Sequence, residues 1–242
     1  MSSLYFREDL VTAEVGARVS LVGAEAKHAA TVNRTRPGQS VMIGNGRGLV
    51  VSGEVIESTS SELTIDVEAV EHVEPARPSL TLVQALAKGD RDELAIQAST
   101  ELGVDAVVPW SAARSVSRWE GPKVAKGRDR WATIVREAAK QSIRAWVPEV
   151  GELSSTRSIA ALAGENRVFV LEPDATVPLS SIVPDGRPIV LVVGPEGGIA
   201  SEELAAFSAA GAELVRLGDT VLRTSTAGPA ALAVLNGILG RW

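Results

Sequence analysis

The chain has 242 residues, 45% hydrophobic and 22% charged, with a formal net charge of −6, enough for one large domain or two small ones with a sizeable core. It holds no cysteine and two histidines, His28 and His72, which excludes disulfides, zinc–thiolate centres and cysteine nucleophiles and argues against any metal site. The N-terminal MSSLYFREDL lacks the apolar core of a signal peptide, and no apolar run approaches the roughly 18 residues of a membrane helix, so a cytoplasmic protein with no membrane partner is expected.

Residues 1–75 read as strands. SVMIGN, GLVVSGEVIES and ELTIDVEAV are short runs separated by Gly, Ser and Asn, and Leu63, Ile65, Val67 and Ala69 alternate as in a strand with one buried face. A small antiparallel β-barrel is expected. GNGRG at 44–48 lacks the full dinucleotide-binding spacing and reads as a turn. EHVEPARPSL, with Pro75 and Pro78, breaks the pattern and sets a domain boundary near residue 75.

Over 76–242 apolar runs alternate with helical patterns. LTLVQAL precedes a helix over DRDELAIQASTELG, with Leu94, Ala98 and Leu102 on one face. VDAVVPW precedes an amphipathic helix over DRWATIVREAAKQS, with Trp131, Ile134, Val135 and Ala138 on its apolar face. RVFVLEP, PIVLVVG and AELVRLG follow. The alternation predicts an α/β domain with a mostly parallel sheet.

Charge is unevenly spread. Residues 26–53 carry four cations, Lys27, Arg34, Arg36 and Arg47, and no acid, and residues 110–150 carry nine Lys or Arg against four acids. Two basic stretches in an acidic chain point to a polyanion partner.

Parallel sheets bind ligands beyond the carboxyl ends of their strands. Three such ends stand out: LEP (171–173), GPEGG (194–198) and LGDTVLRTSTAG (217–228). Gly194, Gly197 and Gly198 permit positive φ and close backbone approach, and Pro195 fixes one φ. Glu196 would repel a phosphate, and no Lys-Ser/Thr pair follows. The loop therefore suits a cofactor not centred on phosphate, and S-adenosylmethionine, with its positive sulfonium, fits. The same loop also reads as a tight turn into a helix capped by Ser201, with Glu202 and Glu203 on the positive helix end. Arg223 stands among Thr220, Thr224, Ser225 and Thr226. It suits an RNA phosphate or a developing negative charge, or a salt bridge at a helix start.

In this order KHAATVNRTRPGQ, KGDRDELAIQASTELGV, ARSVSRW, REAAKQSIRAWVPEV, GPEGG and LGDTVLRTSTA resemble the motifs of the bacterial 16S rRNA (uracil-N3)-methyltransferases. These form the ribosomal small subunit methyltransferase E family of trefoil-knotted SPOUT enzymes. The resemblance covers nearly the whole chain. It implies a PUA-like β-barrel over 1–75 that binds RNA, a SPOUT α/β-knot methyltransferase domain over 76–242, and a homodimer with S-adenosylmethionine held in the knot.

The cofactor positions it implies are Leu171, Gly194, Pro195, Glu196, Gly197 and Gly198, with Leu217, Gly218 and Leu222 from the later loop. Arg223 is the implied catalytic cation. Glu196 is either a base or a group that holds the loop or the donor's ammonium. RNA contacts fall to Lys27, His28, Arg34 and Arg36 and, in the basic middle segment, to Arg114 and Arg118. Ala98, Ala200 and Ser225 depart from the lysine, serine and glutamate common at those places.

The implied reaction is methylation of N3 of a specific uridine of 16S rRNA in the small ribosomal subunit. The alternatives are a knotted RNA methyltransferase acting on a ribose 2′-O or a guanine, and a non-catalytic rRNA-binding assembly protein.

Overall fold

The computed structural model describes residues 3–242; Met1 and Ser2, the first residues of the expected 1–75 domain, lie outside the described residues. The chain divides into two units. The first comprises the residues up to Pro75 together with Ala139–Val147, and the second comprises Ala76–Ala138 and Pro148–Trp242.

In the first unit β1 (Leu4–Phe6), β2 (Arg18–Val22), β3 (Ser40–Gly44), β4 (Leu49–Ser58) and β5 (Glu62–His72) form one sheet in the order β1-β3-β4-β5-β2. The sheet is mixed rather than purely antiparallel, because β1 runs parallel to β3. The alternation read along β5 is real: Leu63, Ile65 and Val67 are buried with Leu21, Ile43 and Val51. A helix, α1 (Gly23–Thr31), stands where only strands were expected and buries Ala26 and Ala29. Its burial stripe is too narrow, and its alanines too small, to show as periodicity.

The segment 139–147 belongs to this unit, whereas a linear boundary near residue 75 leaves it in the other. Backbone bonds explain its place: Gly48 N donates to Ala145 O and Val147 N to Gly46 O, both at 3.0 Å. Trp146 Nε1 donates to Val73 O at 2.7 Å. The buried Lys140 ammonium pairs with Glu25 of α1 at 3.2 Å.

The second unit is built on seven strands: β6 (Leu80–Ala85), β7 (Ala106–Trp110), β8 (Glu149–Val150), β9 (Arg167–Leu171), β10 (Val177–Pro178), β11 (Ile189–Val193) and β12 (Glu213–Arg216). All pair in parallel, in the order β10-β12-β9-β11-β6-β7-β8. The late strands β11 and β12 thus insert between strands laid down earlier. Every residue of β11 is buried, as expected for a central strand covered on both faces.

The helices are α2 (Arg91–Glu101), α3 (Pro122–Gln141), α4 (Thr156–Ala160), α5 (Ser201–Ala209) and α6 (Thr224–Ile238). On one side Phe207 of α5 meets Trp110 edge-on at 5.5 Å. On the other, α6 packs on α2, with Gly228 close against Leu82. The inner face of α2 is Asp92, Ala95, Ile96, Ser99 and Thr100; Leu94, expected inside, is exposed. Small side chains let α2 approach closely, and Thr100 meets its polar need by donating to Ile96 O at 2.8 Å. Among the described residues no helix is long and apolar enough to cross a membrane.

Candidate active site

The carboxyl ends of β9, β11 and β12 open into one cavity of about 710 Å³. Leu171 enters it from β9 and Gly194, Pro195, Glu196 and Gly198 from the loop after β11. Leu217, Gly218, Leu222 and Arg223 enter from the loop after β12, and Arg114 also reaches it. Gly197 and Arg118 do not line it.

The glycines divide by need. Gly198 has φ +72°, in the left-handed region that side chains disfavour, and its N–H closes the turn onto Pro195 O at 2.9 Å. Gly194 is required by space, because an added Cβ would lie 2.6 Å from Ile199 Cγ1. Gly197 was expected to share these constraints and does not: its φ is not positive, and an added Cβ would sit in ordinary contact, 3.4 Å from Arg114 Cβ. Gly218 has open space around it.

Glu196 Oε1 accepts from Lys88 N and from Arg91 Nη1, both at 2.9 Å. Burial acts to raise its pKa, but its own backbone amide, the Lys88 amide and the Arg91 guanidinium outweigh burial and hold the carboxyl below its ordinary value. The loop's acid is therefore ionised and committed to the start of α2. Arg114 Nη1 braces the same loop by donating to Gly197 O at 3.2 Å.

The helix cap differs from expectation. Ala200, not Ser201, is the N-cap of α5. The buried Glu203 carboxylate takes over the capping, accepting from Ala200 N at 3.2 Å, Ala113 N at 2.9 Å and Thr156 Oγ1 at 2.7 Å.

A second polar centre was not foreseen. Thr224, buried at the start of α6, donates from Oγ1 to Gly194 O at 2.8 Å. The same oxygen accepts from Gln84 Nε2 at 2.8 Å. Gln84 is fully buried in β6, and the available signal was a lone amide inside the apolar run LTLVQAL. Arg223, one residue earlier, is exposed at the cavity, and no ion pair or side-chain hydrogen bond engages it among the described residues. The helix-start salt bridge open from the sequence is therefore absent.

Residues 74–236 match the description "RNA methyltransferase domain", and residues 21–68 match "RNA methyltransferase PUA domain". The chain is 44% identical to the ribosomal RNA small subunit methyltransferase E of Mycobacterium bovis, over 95% of this chain and 90% of that one. The chain belongs to the ribosomal RNA small subunit methyltransferase E family. The Bacillus subtilis member is 30% identical over 90% of this chain and 89% of its own. The crystal structure of the Neisseria gonorrhoeae member bound to S-adenosylmethionine superposes with a TM-score of 0.87 at 28% identity, covering 98% of both chains.

The other family-derived positions lie outside the cavity. Lys27 and His28 sit on α1 of the first unit, Lys27 exposed and His28 half-buried. Arg34 and Arg36 are exposed on the following loop. That loop is anchored from below: the buried Tyr5 hydroxyl hydrogen-bonds Thr35 Oγ1 at 3.0 Å and accepts from Asn33 Nδ2 at 2.8 Å. Arg118 is exposed on the segment after β7.

Proposed function

We infer that this chain transfers the methyl group of S-adenosylmethionine to N3 of a uridine in 16S rRNA. The observation that carries the reading is the convergence of loops 194–198 and 217–223 on one cavity, pinned together by Thr224, in a member of this methyltransferase family. The cavity's residues fit the cofactor. Its volume falls within the roughly 300–1,000 Å³ of small-molecule sites. Leu171, Leu217 and Leu222 supply apolar walls, and loop 194–198 supplies main-chain groups. The loop acid is already neutralised by Arg91.

When bound, S-adenosylmethionine supplies an electrophilic methyl group. The chain must orient the uracil ring against it and balance the charge that spreads over N3, O2 and O4 as the imide proton leaves. Arg223, exposed at the cavity and with no ion-pair partner among the described residues, is the group available for that charge. Glu196, held ionised below the ordinary carboxylate range, is a weak base and serves to fix the loop. Lys27, Arg34 and Arg36 on the first unit, and Arg118 on the second, supply phosphate contacts, with His28 beside them. Phosphate contacts position RNA without reading its sequence.

The half-covered side of α6 supports a homodimer. Ala231, Leu232 and Leu235 are buried, while Ala230, Ala233, Val234 and Ile238 on its other sides remain half-covered, leaving an apolar surface for a second copy. The insertion of β11 and β12 between earlier strands supports a knotted C-terminal segment. The proposed site of action is the small ribosomal subunit in the cytoplasm.

The test is nucleoside mapping of small-subunit rRNA from cells with and without this protein. Loss of one N3-methyluridine is expected. Loss of a ribose-methylated or guanine-methylated nucleoside instead, or no change at all, would overturn the reading.

A further inference from the structure

A second cavity, of about 330 Å³, lies in the same unit beside the loop that holds Glu196. Its walls are the β6–α2 turn, Lys88 to Asp90, the start of α2, and the segment carrying Ser117 and Trp119. The two cavities share a wall through one bond: Lys88 gives its backbone N–H to Glu196, while Lys88 itself lines the second cavity.

Trp119 is held with unusual care for a half-buried side chain. It meets Trp131 edge-on at 5.4 Å, and its indole lies against the backbone of α3 at Gly127, where any Cβ would collide with the ring. Glycine inside a helix is less favourable than alanine. The chain thus accepts a weaker α3 to fix an indole that is not fully buried and faces a cavity.

Two of the three carboxylates that line the cavity are already engaged. Glu93 is neutralised by Arg130, which donates to both carboxylate oxygens at 2.7–3.1 Å. The Asp92 carboxylate is occupied by the Ala87 and Glu93 amides, at 3.2 and 2.9 Å. Asp90 is an exposed acid at the rim. Against it stands Lys88, exposed and with no side-chain partner among the described residues. A fixed aromatic ring with an available cation in the same wall is an arrangement on which unpaired bases stack while their phosphates are held.

The geometry points to this cavity as the seat of a single unstacked nucleobase of the substrate RNA, next in the strand to the methylated nucleotide, stacked on Trp119 with its phosphate at Lys88. The inference rests on the methyltransferase reading, since the methylated base itself must reach the first cavity. A base held here would fix the strand on one side of its target and so help select the site.

The test compares wild type with Trp119→Ala, Trp119→Phe and Lys88→Ala. Each is assayed for methyl transfer from radiolabelled S-adenosylmethionine to purified unmethylated small ribosomal subunits, with cofactor affinity by calorimetry and Tm in parallel. Stacking on an aromatic side chain predicts that Trp119→Ala raises the half-saturating subunit concentration roughly tenfold or more. Trp119→Phe should recover most of the loss, and Lys88→Ala should give a smaller rise that fades at high salt. Cofactor affinity should change less than about twofold, because no residue tested lines the first cavity.

A Trp119→Ala protein with wild-type half-saturation would overturn the proposal. So would weakened cofactor binding in Trp119→Phe, which would make the ring a support of the donor site. A wild-type enzyme that transfers nothing would instead sink the methyltransferase reading, so the two failures are distinct.

Discussion

The Thr224 hydroxyl lies 2.8 Å from Gly194 O and 2.8 Å from Gln84 Nε2, so one buried oxygen joins the two cofactor loops to the central strand β6. Removing it leaves the Gly194 carbonyl and one Gln84 N–H without this partner in the core, while Gln84 Nε2 keeps its bond to Ala85 O; a buried group left unsatisfied costs about 1–3 kcal/mol. Thr224→Val keeps the shape and loses the bonds, so it should lower Tm and weaken S-adenosylmethionine binding about tenfold or more by calorimetry. Thr224→Ser keeps the hydroxyl and should bind within a few-fold of wild type. Equal affinity for the valine and serine variants would show that the loops do not depend on this bond.

Glu196 makes a pH prediction with a definite sign. Its folded pKa lies below the ordinary value, because hydrogen bonds and the Arg91 charge outweigh its burial. Such a group stabilises the folded loop above its unfolded pKa, and the benefit is lost as pH falls through the folded one. Cofactor affinity should therefore be flat between about pH 6 and about pH 9 and decline only in the acid range. Glu196→Gln should weaken affinity several-fold at neutral pH without changing the shape of the kcat profile there. Disappearance of a near-neutral limb of kcat in that variant would make Glu196 the base after all.

Within GPEGG the substitutions should rank by backbone need. Gly198→Val forces a β-branched residue to φ +72°, where even an ordinary side chain costs about 1–2 kcal/mol. It should abolish calorimetric binding at cofactor concentrations that saturate wild type. Gly197→Ala, with its nearest atom at 3.4 Å, should bind nearly normally. The reverse ranking would mean that the loop adopts another conformation when it binds.

Much of this site was legible as sequence, and the reasons separate by range. β9, β11 and β12 are short apolar runs, and their following loops carry the Gly, Pro and Arg that parallel-sheet sites use, so the cavity's parts could be named. What joins them could not: Gln84 and Thr224 are 140 residues apart, and no local pattern links them. Leu94 was misplaced because helical periodicity finds large apolar side chains, whereas α2 buries alanine, serine and threonine. The segment 139–147 escaped for a similar reason. Its attachment to the first unit runs through backbone bonds at Gly46 and Gly48 and through the Trp146 and Lys140 side chains to Val73 and Glu25, partners too far along the chain for a local pattern to link.

Ile143 offers a stability test away from the site. It is a β-branched residue at φ +56° with 44% of its surface exposed, a conformation that sterics disfavour in such residues. Ile143→Gly relieves roughly 1–2 kcal/mol of conformational strain and gives back part of it as unfolded-chain entropy. A net gain of up to about 1 kcal/mol is expected, seen as a rise of a few degrees in Tm. A fall in Tm would show that the packing of Ile143 outweighs its backbone strain.

The central claim is that the cavity between loops 194–198 and 217–223 delivers a methyl group to uridine N3. Small subunits lacking the modification are incubated with purified protein and S-adenosylmethionine labelled in its methyl group, and the rRNA is then digested to nucleosides for mass analysis. The account predicts label in N3-methyluridine at a single rRNA position, a loss of rate on the order of 10²–10³ for Arg223→Ala with partial recovery in Arg223→Lys, and none detectable for Gly198→Val. Label in any other nucleoside, or an Arg223→Ala protein as fast as wild type, would contradict it.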